Sequence, residues 1–413
     1  TPEELTDAVA RVYASGFFDR VTYQIQPDES AYGGSTLILS VVEASGIFLK
    51  LGFSYDTDMN AAVLGNITIR NLAGEGSRFA IDVRLSEFPG ILASYFIHTG
   101  IRRPGIGFGA KIHFDRFYIY TYQLGNVQSV YDYYNTGADL VIQAIVFNST
   151  ALGIGVQKDL TFIRSQIAPS DPLKDDTEAL NYYAYLMFDN LDDTLYPTSG
   201  VQFYGEVKYI TNHLTMLKYS DKFPNFFKYT GKLKGYIPLY PKLVSLYIGC
   251  TLSYINAHEP YYIYPDILSS TGWSIYRNSI PFIYENYMGG LYEYTNNCFP
   301  FTGLNFVQIY GKQMIVGDVG LQAEVWKDIY LILHGSVGRV KSKFENLFRK
   351  RNLVWDQAYG VIIPRYEHLK NDLIYGYGIT ISYNSIIGPI EATLMRGSES
   401  NKFLFHFNIG YRI

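Results

Sequence analysis

The chain has 413 residues, of which 16% are aromatic (39 Tyr and 26 Phe against 3 Trp) and only 17% charged, with a net charge of -4. This balance excludes a basic surface for nucleic acid, and no apolar run approaches the ~18 residues of a membrane-spanning helix. So much tyrosine suits a wall at a bilayer edge, with the ring in lipid and the hydroxyl among headgroups.

Residues 1–45 differ from the rest. Pro2-Glu3-Glu4 behind Thr1 reads as a capped helix start with acids in the first turn. Leu5, Ala8, Val9 and Val12 follow at helical spacing, and Gly16 ends the helix. Two strands are expected at residues 18–25 and 36–43, across a turn-rich link. Such a piece is too small to hold its own core. The chain shows no signal peptide and opens inside an amphipathic segment, so its true N-terminus is expected to lie upstream.

From Gly46 onward strands dominate, many of them long and alternating with period two. Phe79, Ile81, Val83 and Leu85 oppose Arg78, Asp82 and Arg84. Val244, Leu246, Ile248, Cys250 and Leu252 oppose Ser245, Thr251 and Ser253. Tyr377, Ile379, Ile381 and Tyr383 oppose Thr380, Ser382 and Asn384. About sixteen such segments, divided by turns, are the pattern of a transmembrane barrel. The longest stretch without strand pattern is residues 256–311, rich in Tyr, Pro, Asn and Gly. A second polar excursion spans residues 341–369. Its basic run, Arg349-Lys350-Arg351, is a solvated loop or a contact for anionic lipopolysaccharide.

The chain closes on Phe403, Phe405, Phe407, Ile409, Tyr411 and Ile413, alternating with Leu404, His406, Asn408, Gly410 and Arg412. Alone, this strand fits a lipid-facing barrel or half of a soluble sandwich. The recurrence of its pattern upstream favours the barrel.

Several motifs carry a family resemblance. Arg11-Val12-Tyr13-Ala14-Ser15-Gly16-Phe17-Phe18-Asp19-Arg20-Val21 resembles the helix-to-strand turn of a POTRA module, with Tyr13, Gly16, Phe18 and Val21 at the motif positions. Asn71-Leu72-Ala73-Gly74-Glu75-Gly76, the segment from Asp189 to Gly200 with its Pro197-Thr198-Ser199-Gly200, Ile387-Gly388-Pro389-Ile390, and Phe405 to Tyr411 resemble, in order, four signatures of BamA-type POTRA-plus-barrel proteins. Within that superfamily the chain looks most like the barrels of PlpD-like patatin phospholipases, through Phe48-Leu49-Lys50-Leu51-Gly52-Phe53 and one POTRA-like unit running straight into the barrel. The resemblance implies a lipase domain ahead of Thr1, a periplasmic POTRA, a Gram-negative outer membrane and a homodimer. It also implies that the closing strand, Phe403, Phe405, Phe407, Asn408, Ile409, Gly410, Tyr411 and Ile413, is a signal for the barrel-assembly machinery. The family's arginine-glycine-aromatic loop tip is absent. Tyr287-Met288-Gly289-Gly290 stands at its expected place, and Met395-Arg396-Gly397 falls in the last hairpin loop.

Little other chemistry is legible. Gly33-Gly34-Ser35-Thr36-Leu37 fails as a nucleophile elbow. The seven histidines lack metal spacing, so His113 and His406 read as lumen-facing polar residues. Cys250 and Cys298 form neither a disulfide framework nor a zinc site. No catalytic group, cofactor or metal is expected. Arg84, Lys111, Glu206, Lys208, Asp318 and Glu324 are expected in a hydrated lumen.

The resulting expectation is an all-β protein. Residues 1–45 are the C-terminal part of an α+β POTRA, and residues 46–413 form a transmembrane antiparallel β-barrel of about sixteen strands, with an extracellular loop at 256–311. It anchors and translocates an upstream patatin-like phospholipase, inserts other proteins in the manner of BamA or TamA, or acts as a passive channel. Its first and last strands are expected to pair near residues 48–55. Its partners are outer-membrane lipids, lipopolysaccharide and the barrel-assembly machinery, with no nucleic acid.

Overall fold

The structure is a computed structural model. It describes residues 18–27, 35–43, 46–98, 105–123, 126–147, 149–167, 174–216, 223–241, 243–257, 261–265, 273–277, 280–295, 297–341, 353–356, 361–364, 373–400 and 402–411, with Leu5 and Val9, both helical. Strand β1 (Phe18–Pro27) pairs antiparallel with β2 (Ser35–Glu43). Of the POTRA-like turn, Phe18 and Val21 lie in β1, whereas Tyr13 and Gly16 lie outside the described residues.

The barrel begins with β3 (Ile47–Asp56), β4 (Asn60–Arg70), β5 (Ser77–Ser86), β6 (Gly90–His98), β7 (Gly105–Gln123), β8 (Asn126–Phe147), β9 (Thr150–Ile167), β10 (Lys174–Asp189), β11 (Gly200–Thr211), β12 (Phe226–Tyr240) and β13 (Val244–Asn256). The long loop follows, with β14 (Tyr261–Pro265), β15 (Trp273–Arg277), β16 (Asn286–Met288), β17 (Cys298–Phe299) and β18 (Ile309–Gly311). The barrel resumes with β19 (Gln313–Trp326) and β20 (Ile329–Lys341). After a loop carrying β21 (Leu353–Asp356) and β22 (Val361–Pro364), it ends with β23 (Ile374–Ser385), β24 (Gly388–Gly397) and β25 (Leu404–Ile409). Sixteen strands, β3–β13, β19, β20 and β23–β25, close in sequence order, and β25 returns to β3. Arg349-Lys350-Arg351 lies outside the described residues.

Alternation decides which face meets what. In β23, Tyr375, Tyr377, Ile379, Ile381 and Tyr383 are exposed outward, whereas Thr380 and Ser382 are buried inward. In β13, Ile248 is exposed and Ser245 and Ser253 are buried. Leu49, Leu51, Ile112, Leu140, Ile154 and Leu233 continue the exposed apolar face around the wall. At roughly 1.5–3 kcal/mol per large apolar side chain, such a surface left in water would outweigh the ~5–15 kcal/mol that stabilises a folded domain. In lipid the same face carries no such cost, and this inverted pattern is that of a transmembrane barrel.

An even strand number puts both barrel termini at one end. The connections there are residues 71–76, 99–104, 148–149, 190–199, 241–243, 327–328 and 386–387. Residues 257–312 and 342–373 join strands at the opposite end. Turn chemistry matches the recognised motifs. Asn71 (φ 55°), Gly74 (φ 118°) and Gly76 (φ 78°) build the first of them, and Asn71 Oδ1 accepts from Gly76 N at 3.0 Å. Gly200 (φ 111°) ends the 190–199 turn, where a Cβ would stand 2.5 Å from Asn190 O.

Candidate functional site

The loop of residues 257–312 turns back into the barrel. Its described core, residues 280–295 and 297–312, contains one 3-10 turn (Phe282–Tyr284) and a small sheet in which β16 lies between β17 and β18. Tyr287, Met288, Gly289 and Gly290, the tip expected from the sequence, are all buried. Gly289 (φ 134°) and Gly290 (φ 77°) reverse the chain, and a Cβ on Gly289 would stand 2.0 Å from Asn305 O. Only glycine tolerates that combination.

Side chains from many barrel strands hold this core. The Tyr284 hydroxyl donates to Asp159 Oδ2 of β9 at 3.1 Å and accepts from Asn181 Nδ2 of β10 at 3.0 Å. Lys228 of β12 donates to Tyr284 O at 3.1 Å and to Asn297 Oδ1 at 2.7 Å. Ser253 of β13 donates to Asn286 Oδ1 at 2.8 Å. Thr302 N donates to Ser336 Oγ of β20 at 3.2 Å. Lys232 of β12 pairs with Glu293, and Tyr292 donates to Glu391 of β24. These partners lie on different sides of the wall, so the loop occupies the lumen.

Two apolar clusters complete the seat. Tyr284, Tyr287, Phe306 and Val307 pack with Phe117, Tyr133, Ile163 and Phe226 of the wall. Met288, Phe299, Phe301, Leu304 and Ile309 pack with Met314, Val316, Val340 and Ile374. Met288 is fully buried in this nest and brings no polar group that would need a partner there. Burial pushes the Cys298 thiol up. Cys298 belongs to β17, not to irregular loop as its composition suggests, and both cysteines are free.

The lumen charges named from sequence form separate local pairs, not one network. Arg84 contacts Asp115 at 3.4 Å, Lys208 lies 3.5 Å from Glu206, Ser336 donates to Asp318 at 2.7 Å, and Glu324 accepts from Asp328 N at 3.1 Å. Lys111 is exposed.

The second feature is the seam between β25 and β3. Among the described residues, only Asn408 opposite Asp56 and Ile409 opposite Tyr55 are in register. Thr57 extends the seam by one residue: its N donates to Phe407 O at 3.1 Å, and its Oγ1 accepts from Phe407 N at 2.9 Å. By contrast, β3 pairs with β4 along its whole length. The expected pairing near residues 48–55 is thus corrected to Tyr55, Asp56 and Thr57. The reason is local. Asp56 Oδ1 accepts from Asp58 N at 2.8 Å and Met59 N at 2.7 Å, which turns the chain into β4 just where β25 arrives. Phe48, Lys50 and Gly52 therefore have no strand partner on that edge among the described residues.

Along the closing strand, Phe403, Phe405 and Tyr411 are exposed, Phe407 and Ile409 half-buried, and His406 and Asn408 buried. Gly410 (φ 89°) abuts Phe53 O, and its N donates to Pro389 O at 2.9 Å. Ile413 lies outside the described residues. A further correction concerns Met395-Arg396-Gly397. These residues end β24 and are not in the last hairpin loop, because Met395 pairs with Leu404 and Gly397 with Gly376. Gly303 of the lumen loop packs against Arg396 O, where a Cβ would stand 2.5 Å away.

The residues that seat the loop, Asp159, Asn181, Lys228, Tyr284, Asn297 and Glu391, were not singled out from sequence. The one signal of Asp159, Asn181, Lys228 and Glu391 is a polar residue on the inward phase of a strand, which most lumen positions share, and Tyr284 and Asn297 lie in the loop, where no periodicity marks them.

The sequence profile of the OMP85 superfamily matches residues 35–251 and 262–413. No curated protein sequence matches the chain. Among solved structures, BamA from Haemophilus ducreyi lacking POTRA domains 1–3 is similar at 15% identity and a TM-score of 0.66, over 98% of this chain and 77% of that one. CdiB from Acinetobacter baumannii is 12% identical (TM-score 0.54; 96% of this chain, 66% of that one). CdiB from Escherichia coli is 10% identical (TM-score 0.57; 96% and 68%). With the profile spanning most of its length and a closed sixteen-stranded barrel, this chain belongs to the OMP85 superfamily of outer-membrane β-barrels.

Proposed function

We propose that this barrel passes polypeptide into or across the Gram-negative outer membrane by opening between β25 and β3. The thin seam carries this reading. A few backbone hydrogen bonds at ~0.5–1.5 kcal/mol each form a far smaller barrier than any other strand pair around the wall. The lumen loop supports it against a passive channel, since its core occupies the space ions would use. The end bearing residues 257–312 is extracellular in this reading, and the strand termini with the POTRA-like segment are periplasmic.

Two cargoes fit. One is a patatin-like phospholipase fused ahead of Thr1, favoured by the likeness of Phe48-Leu49-Lys50-Leu51-Gly52-Phe53 to the barrels of such proteins. The other is separate outer-membrane proteins, as for an insertase. Expression of the full gene in cells, with protease added outside, tests both. Surface cleavage of an upstream domain that is lost on deleting the barrel supports the first. Faster insertion of an unfolded barrel into vesicles holding this protein supports the second. If neither occurs and the vesicles conduct ions freely, the proposal fails. The closing strand from Phe403 to Ile413 is the proposed signal for the assembly machinery, and its removal is expected to block membrane insertion of the chain. The exposed apolar wall and the outer loops are the proposed contacts for lipid and lipopolysaccharide. The homodimer is tested by mass measurement in detergent.

A further inference from the structure

The seam brings together a cluster that neither the strand pattern nor the translocation reading explains. A carboxylate oxygen of Asp56, one of Asp58 and a ring nitrogen of His406 lie within 4.8 Å of one another. His406 Nε2 is 3.4 Å from Asp58 Oδ2. Asp56 and Asp58 come from the β3–β4 hairpin and His406 from β25, the two ends of the barrel sequence. His406 is 2% exposed and Asn408 1%. Both ring nitrogens of His406, Asp58 Oδ2 and Asn408 Oδ1 are buried without a hydrogen-bond partner. His406 Nε2 and Asp58 Oδ2 face each other, which leaves His406 Nδ1 and Asn408 Oδ1 with no counterpart; orphaned polar atoms cost about 1–3 kcal/mol each, so the cluster points to an occupant. Among the described residues, neither aspartate meets a lysine or arginine.

We infer that Asp56, Asp58 and His406 form a divalent transition-metal site of the zinc type. Two carboxylates balance the charge of one M2+, and an imidazole nitrogen beside carboxylate oxygens selects a borderline metal over calcium or magnesium, which take oxygen ligands. The 3.4 Å separation matches two ligands each ~2.0–2.1 Å from one tetrahedral ion. Asn408, in register opposite Asp56, carries a buried Oδ1 with no hydrogen-bond partner on the same strand face as His406. The ion ties the first hairpin to the last strand where backbone pairing is thinnest. It also sits at the lumen loop, since Gly290 packs against Asp58 Oδ2 and the Tyr292 ring lies 5.3 Å from that of His406. The inference does not depend on what the barrel transports.

The test uses the purified, folded chain in detergent, with its heat-modifiable gel shift as the folding control. After dialysis against buffered Zn2+, one zinc per chain is expected by elemental analysis, removable by chelator, with a lower temperature for loss of the gel shift after removal. His406→Gln and Asp58→Asn are each expected to weaken binding by at least roughly 100-fold, whereas His113→Gln leaves it unchanged. Folded wild-type protein holding no more zinc than a chelated control overturns the inference, as does wild-type affinity in folded His406→Gln. If the variants do not fold, Co2+ added to wild type decides. A visible ligand-field band abolished by excess Zn2+ supports the site, and its absence overturns it.

Discussion

Replacing Gly289 with alanine is expected to unseat the lumen loop. The residue sits at φ 134°, a region closed to side chains, and its new Cβ would lie 2.0 Å from Asn305 O. Backbone strain of this kind costs about 1–3 kcal/mol. Relief requires moving the carbonyl that accepts from Gln308 N at 3.2 Å, a loss of about 1 kcal/mol more. The total of about 2–4 kcal/mol shifts the docked-to-undocked ratio by roughly 30- to 1,000-fold at 1.4 kcal/mol per tenfold. Planar-bilayer conductance is the assay. Wild type is expected to rest nearly closed and Gly289→Ala to open frequently. Gly231→Ala is the control, since a Cβ there meets nothing within 4 Å. If Gly289→Ala conducts no more than Gly231→Ala, the loop is not what fills the lumen.

Three further outcomes follow from the geometry. Tyr284→Phe removes the hydroxyl shared with Asp159 and Asn181, and is expected to weaken loop docking by about 1–3 kcal/mol, read as intermediate conductance; wild-type behaviour refutes the anchor. In a Cys250→Ser background, Cys298 is expected to resist maleimide because burial raises its thiol pKa, and to react once Gly289→Ala frees the loop; equal labelling in both contradicts the docking. Asp192, in the 190–199 turn, is raised by slight burial but lowered more by hydrogen bonds from the Thr198 side chain and from Ser199 N and Thr198 N, to about 2. Its folded value lies below the unfolded ~3.9, so its contribution is present above pH ~4 and lost as pH falls through about 2. Pepsin cleavage of this turn is expected to rise across that window relative to Asp192→Asn, and parallel profiles would refute the role.

The barrel was legible because its signal is local and repeated. Strands such as β23 and β13 state their two faces in their own residues, and the turn at Asn71–Gly76 declares its positive φ positions through Asn and Gly. The seam was less legible. Phe48 to Tyr55 reads as an ordinary edge, and only the Asp56 turn together with the register of β25 limits pairing to Tyr55, Asp56 and Thr57. The loop was legible at its glycines but not at its anchors. Tyr284, Lys228 and Asn297 meet only after the barrel has closed, and no spacing along the chain encodes that meeting. The cluster of Asp56, Asp58 and His406 has the same cause: its members lie at opposite ends of the barrel sequence.

The seam between β25 and β3 is the join that must part, and one disulfide tests whether it does. Tyr55 and Ile409 stand directly opposite in register, within the Cα separation a disulfide accepts. Tyr55→Cys with Ile409→Cys, in a background lacking the native cysteines, is expected to cross-link on oxidation. Translocation of the fused domain, or insertion of a client barrel, is then expected to stop and to return with reductant. Full activity in the cross-linked protein would contradict a seam that opens.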